Sequence, residues 1–231
     1  MSKLKYYLRL LRALPMSVVF NFHYLPFSQA RKLPILCYKL HGQMLRGGVE
    51  IDTNTISFGM IRLGFKTTDL YPNTGITWRN EGKVIFHGNC KIGNDSYLVC
   101  GKKGIISIGN NFFATGSFRI VSETGINIGD NVLVGWGSIF LDTNFHPLYS
   151  IDTKSFKTAY GKVNVGDGCW FAAQTLLLHS VNIPDHCVFG ARSIINHSIT
   201  YQSNCLYSGN PIILLKKGIR LDDSIRTIVY Q

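Results

Sequence analysis

One histidine stands apart from the other six in this chain of 231 residues. His146 lies in the stretch LDTNFHP, between Leu141 and Pro147, with Asp142 and Asn144 just ahead of it. An imidazole with an ordinary pKa of about 6.5 is mostly neutral at physiological pH and can accept a proton there. That suits a general base. Asp142 and Asn144 either orient such a base, hold the hydroxyls of an acceptor, or simply shape a turn. The competing reading of His146 is a surface-loop histidine without a role. Cysteine chemistry is not indicated. Cys37, Cys90, Cys100, Cys169, Cys187 and Cys205 stand at least ten residues apart, so no CxxC pair exists. They are expected to be reduced, mostly buried thiols of a cytoplasmic protein.

The elements that must position His146 follow from an internal repeat. Steps of six from Val165 land on Phe171, Leu177, Ile183, Phe189 and Ile195, all apolar. The same step links Phe86, Ile92 and Leu98, then Ile108, Ala114 and Ile120, then Ile128, Val134 and Phe140. Gly often follows the apolar residue, as in IGND, IGNN, IGDN and VGDG. Six residues make one short strand and one tight turn, and three such units close a triangular coil. The apolar residue points inward, while Gly, Asn and Asp take the corner conformations that other residues resist. Stacked coils pair their backbones and form a solenoid. An antiparallel sandwich would instead alternate with period two and turn about every 8 to 12 residues.

The register breaks in places, and most strongly between Phe140 and Val165. Long insertions in regular folds are usually functional. This one, a loop over residues 141–163, contains His146.

These motifs resemble those of the hexapeptide-repeat acyltransferases, in particular the sugar and xenobiotic O-acetyltransferase branch. The carrying residues are IGDNVLVG (Ile128–Gly135), DTNFHP (Asp142–Pro147), VGDGCWFAA (Val165–Ala173), IPDHCVFGARSII (Ile183–Ile195) and YSGNP (Tyr207–Pro211). The resemblance covers about residues 84–217. It departs from the family at Trp170-Phe171-Ala172, His179-Ser180-Val181, Asn196-His197 and Ile212. It implies a mainly β fold, a left-handed parallel β-helix, and a homotrimer whose acceptor sites lie between neighbouring prisms. It implies acetyl-CoA as donor and His146 as the catalytic base. Trp170 is the expected wall of the acceptor site, with Asp142 and Asn144 beside the base; Trp136 either stacks on a sugar face or packs against the loop. Ala172, Ala173, Gly190 and Ala191 would let the pantetheine arm approach the backbone, with Ser193 near. Asn210 and Pro211 would sit at the nucleotide end. Lys216, Lys217 and Arg220 are candidates for the CoA phosphates. The γ-class carbonic anhydrases share this prism and bind zinc through histidines, two of them five apart. That spacing is missing here, and no metal is expected. His87, His179, His186 and His197 then read as structural or peripheral.

Composition places the remaining features. Hydrophobic residues make up 45% of the chain, which excludes a disordered protein. The net charge of +11 is concentrated at the start: residues 1–49 hold eight Lys or Arg and no Asp or Glu. The rest is nearly balanced, which argues against a nucleic-acid binder. No apolar run is long enough to span a bilayer, and the start does not read as a signal peptide. The expected organisation is a basic helical and aromatic cap over 1–49, a β-helix over 50–210 and a tail over 211–231. Within the cap, a short amphipathic helix over 2–14 is expected to end at Pro15. A second helix near 29–41, capped by Ser28, is expected to restart at Pro34. The cap closes the open end of the solenoid, and residues 1–14 are a candidate for peripheral contact with an anionic membrane face. The function expected is O-acetylation of a sugar hydroxyl in a polysaccharide, lipopolysaccharide or capsule precursor. The alternatives are N-acetylation of an amino sugar, nucleotide sugar or antibiotic, and a non-catalytic scaffold.

Overall fold

The computed structural model describes residues 3–222. Its body is a triangular parallel β-helix with three faces. The first face stacks Ile35–Cys37, Ile61–Phe65, Cys90–Gly93, Phe112–Ala114, Leu133–Val134, Trp170–Phe171, Val188–Phe189 and Cys205–Ser208. The second runs from Leu40–Leu45 to Ile194–Ile195, and the third from Gly48–Ile51 to Val181–Ile183. The chain visits first, second and third face in turn. Every pairing within these stacks is parallel, which excludes the sandwich.

All fifteen residues of the six-step pattern are buried. The step continues past Ile195 to Tyr201 and Tyr207, also buried. Aromatic rings run along part of the axis: Phe118, Phe140, Phe171 and Phe189 lie 4.9–5.1 Å apart, centroid to centroid. Such contacts add specific attraction to the burial of large apolar surfaces.

The corners divide their work between two positions. Before ten of the fifteen inward side chains, the residue three positions earlier takes a left-handed conformation, as at Asp95, Asn111, Asn131, Gly168, Gln174 and His186. The glycine that follows the inward residue does not. Its role is space: a Cβ at Gly109 would overlap the Gly129 carbonyl, and one at Gly135 would lie 2.6 Å from the Ala173 nitrogen. The expectation that these glycines supply corner conformations is corrected on this point. Asp side chains tie one corner between coils. Asp130, Asp167 and Asp185 accept from the backbone N–H groups of Asn110, Asp130 and Asp167 at 2.6–2.9 Å.

The N-terminal segment departs from expectation. Helix α1 spans Lys3–Tyr24 and passes through Pro15. The N–H that proline lacks would have bonded the Leu11 carbonyl, and both residues face outward, where water can serve that carbonyl. The helix also grips the body beyond Pro15. The Asn21 amide donates to the Ile35 carbonyl at 2.6 Å and accepts from the Ile35 N–H at 3.1 Å. The Ser17 hydroxyl accepts from the Cys37 N–H at 2.9 Å. These side chains take the place of the neighbour that an outermost strand lacks, which is how an edge is blunted. Phe20 and Tyr24 cover Trp78, whose indole N–H donates to the Tyr24 hydroxyl at 3.1 Å.

The second helix expected near 29–41 is only a single turn, α2 (Phe27–Ala30). Beyond it the first coil has already begun, at Ile35 rather than at residue 50. At the other end, Ile213–Lys217 folds back antiparallel on Cys205–Ser208. The tail expected over 211–231 therefore starts as a strand, and its residues 223–231 lie outside the described region, as do Met1 and Ser2 of the expected first helix.

Candidate active site

The insertion is an antiparallel finger. It leaves the second face after Ile139–Leu141 and returns at Val163–Val165 on the third, so it stands on the corner between those faces. Its base is closed by the Gly161 N–H on the Asp142 carbonyl at 2.9 Å, and by the Asn144 N–H on the Ala159 carbonyl at 2.6 Å. Thr143 and Tyr160 form a bridge between them. Beyond His146 the pairing resumes, with the Lys157 N–H on the Leu148 carbonyl and a short hairpin of Tyr149–Ser150 with Ser155–Phe156.

His146 occupies the bend between these paired stretches. Its N–H donates to the Asn144 carbonyl at 2.7 Å, across Phe145, which has φ of 60°. The imidazole is exposed. Phe145 and Pro147, on either side of it, line a cleft of about 870 Å³ together with Lys102, Lys103, Lys157 and Tyr160. Four large apolar side chains of the finger, Leu148, Tyr149, Ile151 and Phe156, are exposed among polar residues.

Asp142 is not offered to an acceptor. Its carboxylate is fully buried. It accepts from the N–H groups of Glu123, Thr124 and Gly125 at 2.6–2.8 Å, and from the hydroxyls of Ser122 and Thr124. Buried behind these five donors, it is out of reach of a sugar. Asp142 therefore fixes the root of the finger to the coil below, and the expectation of acceptor binding is corrected. Asn144 is also engaged: its amide contacts His179 Nε2 at 2.9 Å, and His179 Nδ1 contacts the Ser180 hydroxyl at 3.0 Å. The sequence reading left His179 peripheral. The departure at His179-Ser180 was the signal that could have placed it beside the loop.

The other candidate residues gather on a different corner, between the first and second faces. Trp136, Ala173 and Arg192 follow one another up this corner: the Gln174 N–H donates to the Trp136 carbonyl at 2.8 Å, and the Arg192 N–H to the Ala173 carbonyl at 2.9 Å. Ala172, Gly190 and Ala191 belong to the same turns, and Asn210 and Pro211 follow the last of them. Trp136 is 40% exposed. Trp170 is half-buried on the adjoining first face, between Leu133 and Val188. Lys216 and Lys217 are exposed on the terminal strand, at the same end of the column, and Arg220 is exposed beyond it. Ser193 is different. It is buried, donates to the Gly190 carbonyl at 2.7 Å and accepts from the Gly209 N–H at 3.1 Å, so it holds the turn and does not face a ligand.

In a triangular prism the corner between the second and third faces is opposite the first face. The finger with His146 and the face with Trp170 therefore point away from each other within one chain. His179 and His197 stand with ring centroids 6.0 Å apart, but among the described residues no three His, Cys, Asp or Glu side chains gather as a metal site would require.

No family sequence model and no curated protein sequence matches the chain. Solved structures do. The polysialic-acid-specific acetyltransferase NeuO aligns at 19% identity with a TM-score of 0.57, over 85% of this chain and 82% of its own. A galactoside acetyltransferase in complex with coenzyme A aligns at 18% identity and a TM-score of 0.46, over 96% and 86%. A hexapeptide-repeat acetyltransferase of Vibrio cholerae O1 biovar eltor complexed with acetyl coenzyme A aligns at 15% and 0.41, over 94% and 90%. The likeness to NeuO is one of architecture, and with the strand topology it establishes that the chain folds as the hexapeptide-repeat acetyltransferases do, in a left-handed parallel β-helix.

Proposed function

We propose that the protein is an acetyl-CoA-dependent O-acetyltransferase acting on a sugar hydroxyl of a polysaccharide, lipopolysaccharide or capsule precursor. The observation that carries this reading is the separation of two half-sites on one prism. One half is a base on a rigidly rooted finger. The other is a column of small residues beside two tryptophans. A homotrimer with parallel prisms would set the finger of one copy against the column of the next, and the exposed apolar side chains of the finger, Leu148, Tyr149, Ile151 and Phe156, support such a contact.

In that arrangement His146 takes the proton from the acceptor hydroxyl as its oxygen attacks the thioester carbonyl. The protonated imidazole then returns the proton to the sulfur of the departing coenzyme, leaving an acetyl ester on the sugar. Trp136 and Trp170 present flat apolar surfaces and indole N–H groups to the acceptor. Ala172, Ala173, Gly190 and Ala191 keep the corner open to the pantetheine arm, Asn210 and Pro211 flank its nucleotide end, and Lys216 and Lys217 offer positive charge to phosphate. The polymer acceptor named for NeuO favours a glycan over an antibiotic. The test is release of the coenzyme thiol from acetyl-CoA with a panel of glycan acceptors. His146→Ala should lower turnover by about a hundredfold to ten-thousandfold. Turnover by that variant at the wild-type rate, with an acceptor that the wild type acetylates, would sink the mechanism.

A further inference from the structure

The cap helix is apolar on two sides. Its inner side, with Ala13, Ser17, Phe20 and Asn21, is buried on the prism. Its outer side carries Leu8, Leu11, Pro15, Val18, Val19 and Phe22, spaced by three and four residues and therefore on one stripe. Leu11 and Val19 are each 62% exposed, and Phe27 next to the helix end is 72% exposed, with its ring 6.1 Å from that of Phe22. A continuous apolar stripe along a helix about 33 Å long is not ordinary surface.

Its charge setting selects the occupant. Arg12 and His23 border the stripe, and Arg31 and Lys32 stand exposed beyond Phe27. No Asp or Glu occurs before Glu50. A second copy docking face to face would bring cation against cation. An anionic bilayer supplies both an apolar layer and negative headgroups. We propose that this outer face is a docking surface for an anionic lipid bilayer, with α1 lying in the plane of the interface. No helix of the described residues is long and apolar enough to cross a membrane, and the inner side of α1 is bonded to the prism. The contact thus extends well beyond residues 1–14, to Phe27.

The inference is independent of the proposed chemistry. Flotation of the full chain with phosphatidylglycerol-containing vesicles, at low and high salt, tests it. The wild type should float with these vesicles, and much less with pure phosphatidylcholine or at high salt. A Leu11→Glu, Phe22→Glu double variant should lose about tenfold or more of the bound fraction. Both positions face outward, and circular dichroism checks the fold. Arg12→Glu with Lys32→Glu should weaken binding while the apolar stripe stays intact. Failure of the wild type to float, flotation of either double variant at the wild-type level, or a fall in oligomeric mass of the Leu11→Glu, Phe22→Glu variant in place of lost flotation would each overturn the proposal.

Discussion

The Asn144 side-chain amide meets His179 Nε2 at 2.9 Å, which joins the finger that carries His146 to the coil above its root. Asn144 is the residue whose carbonyl receives the His146 N–H, so the contact fixes the bend that presents the imidazole. His179 acts on His146 only through Asn144 and is a positioning residue. His179→Ala should lower kcat by about tenfold to a hundredfold, because a displacement of about 1 Å at the base is enough for that. The KM for acetyl-CoA should stay unchanged, since the small-residue column lies on another corner. His179→Gln retains a polar group near the same place and should restore much of the rate. Equal loss in the Gln and Ala variants, or a changed KM for acetyl-CoA, would count against this role.

The prism was legible in the sequence because one six-residue step places an apolar residue on each face in turn, and residues 84–217 keep that step with few breaks. The first coils were not. Ile51, Leu63 and Trp78 are inward residues of successive faces, but the gaps between them are twelve and fifteen residues. Turns of that length erase the period, so strands from Ile35 onward read as a helical cap. Pro15 misled for a related reason. Its local rule is sound, but tertiary bonds from Ser17 and Asn21 hold the helix on its far side. Of the candidate site, motifs single out His146 and the small-residue corner, whereas the roles of Asp142 and Ser193 depend on which donors surround them, and spacing carries no trace of that.

Asp142 makes a stability prediction. Asp142→Asn keeps the shape but turns one acceptor oxygen into a donor that faces other donors. A buried mismatch of this kind costs about 3 kcal/mol. The melting temperature should fall by about 6 to 12 °C for a chain of this size. A thermal scan that shows no change would mean that the five contacts do not anchor the finger.

The buried thiols predict an alkaline limit. All six cysteines are free and buried. Burial pushes Cys100 up to about 11 from an ordinary 9.0, and raises Cys37 and Cys90 as well. The unfolded chain loses these protons first as pH rises. The stabilisation is therefore complete below pH 9 and is lost as pH rises through the folded-state values, with Cys100 reaching its own near 11. Urea midpoints measured from pH 8 upward should decline above pH 9, and a thiol reagent should find little to label at pH 8 until urea is added. Rapid labelling of the native protein would contradict the burial.

The division of the site between two corners predicts complementation between inactive chains. His146→Ala removes the base but leaves the column intact. Ala191→Trp fills the column but leaves the finger intact. In the proposed homotrimer each variant alone should be inactive, because every site would contain the defect. Co-refolded mixed trimers regain sites in which a finger with His146 meets a column with Ala191. Random assembly of equal amounts makes roughly a quarter of the sites intact, and activity should return to that level. A site formed within one chain allows no such recovery, because each chain carries its own lesion. Mixed samples as inactive as the parents, with mixed trimers shown by mass, would therefore place base and donor groove on the same copy and rule out the shared site.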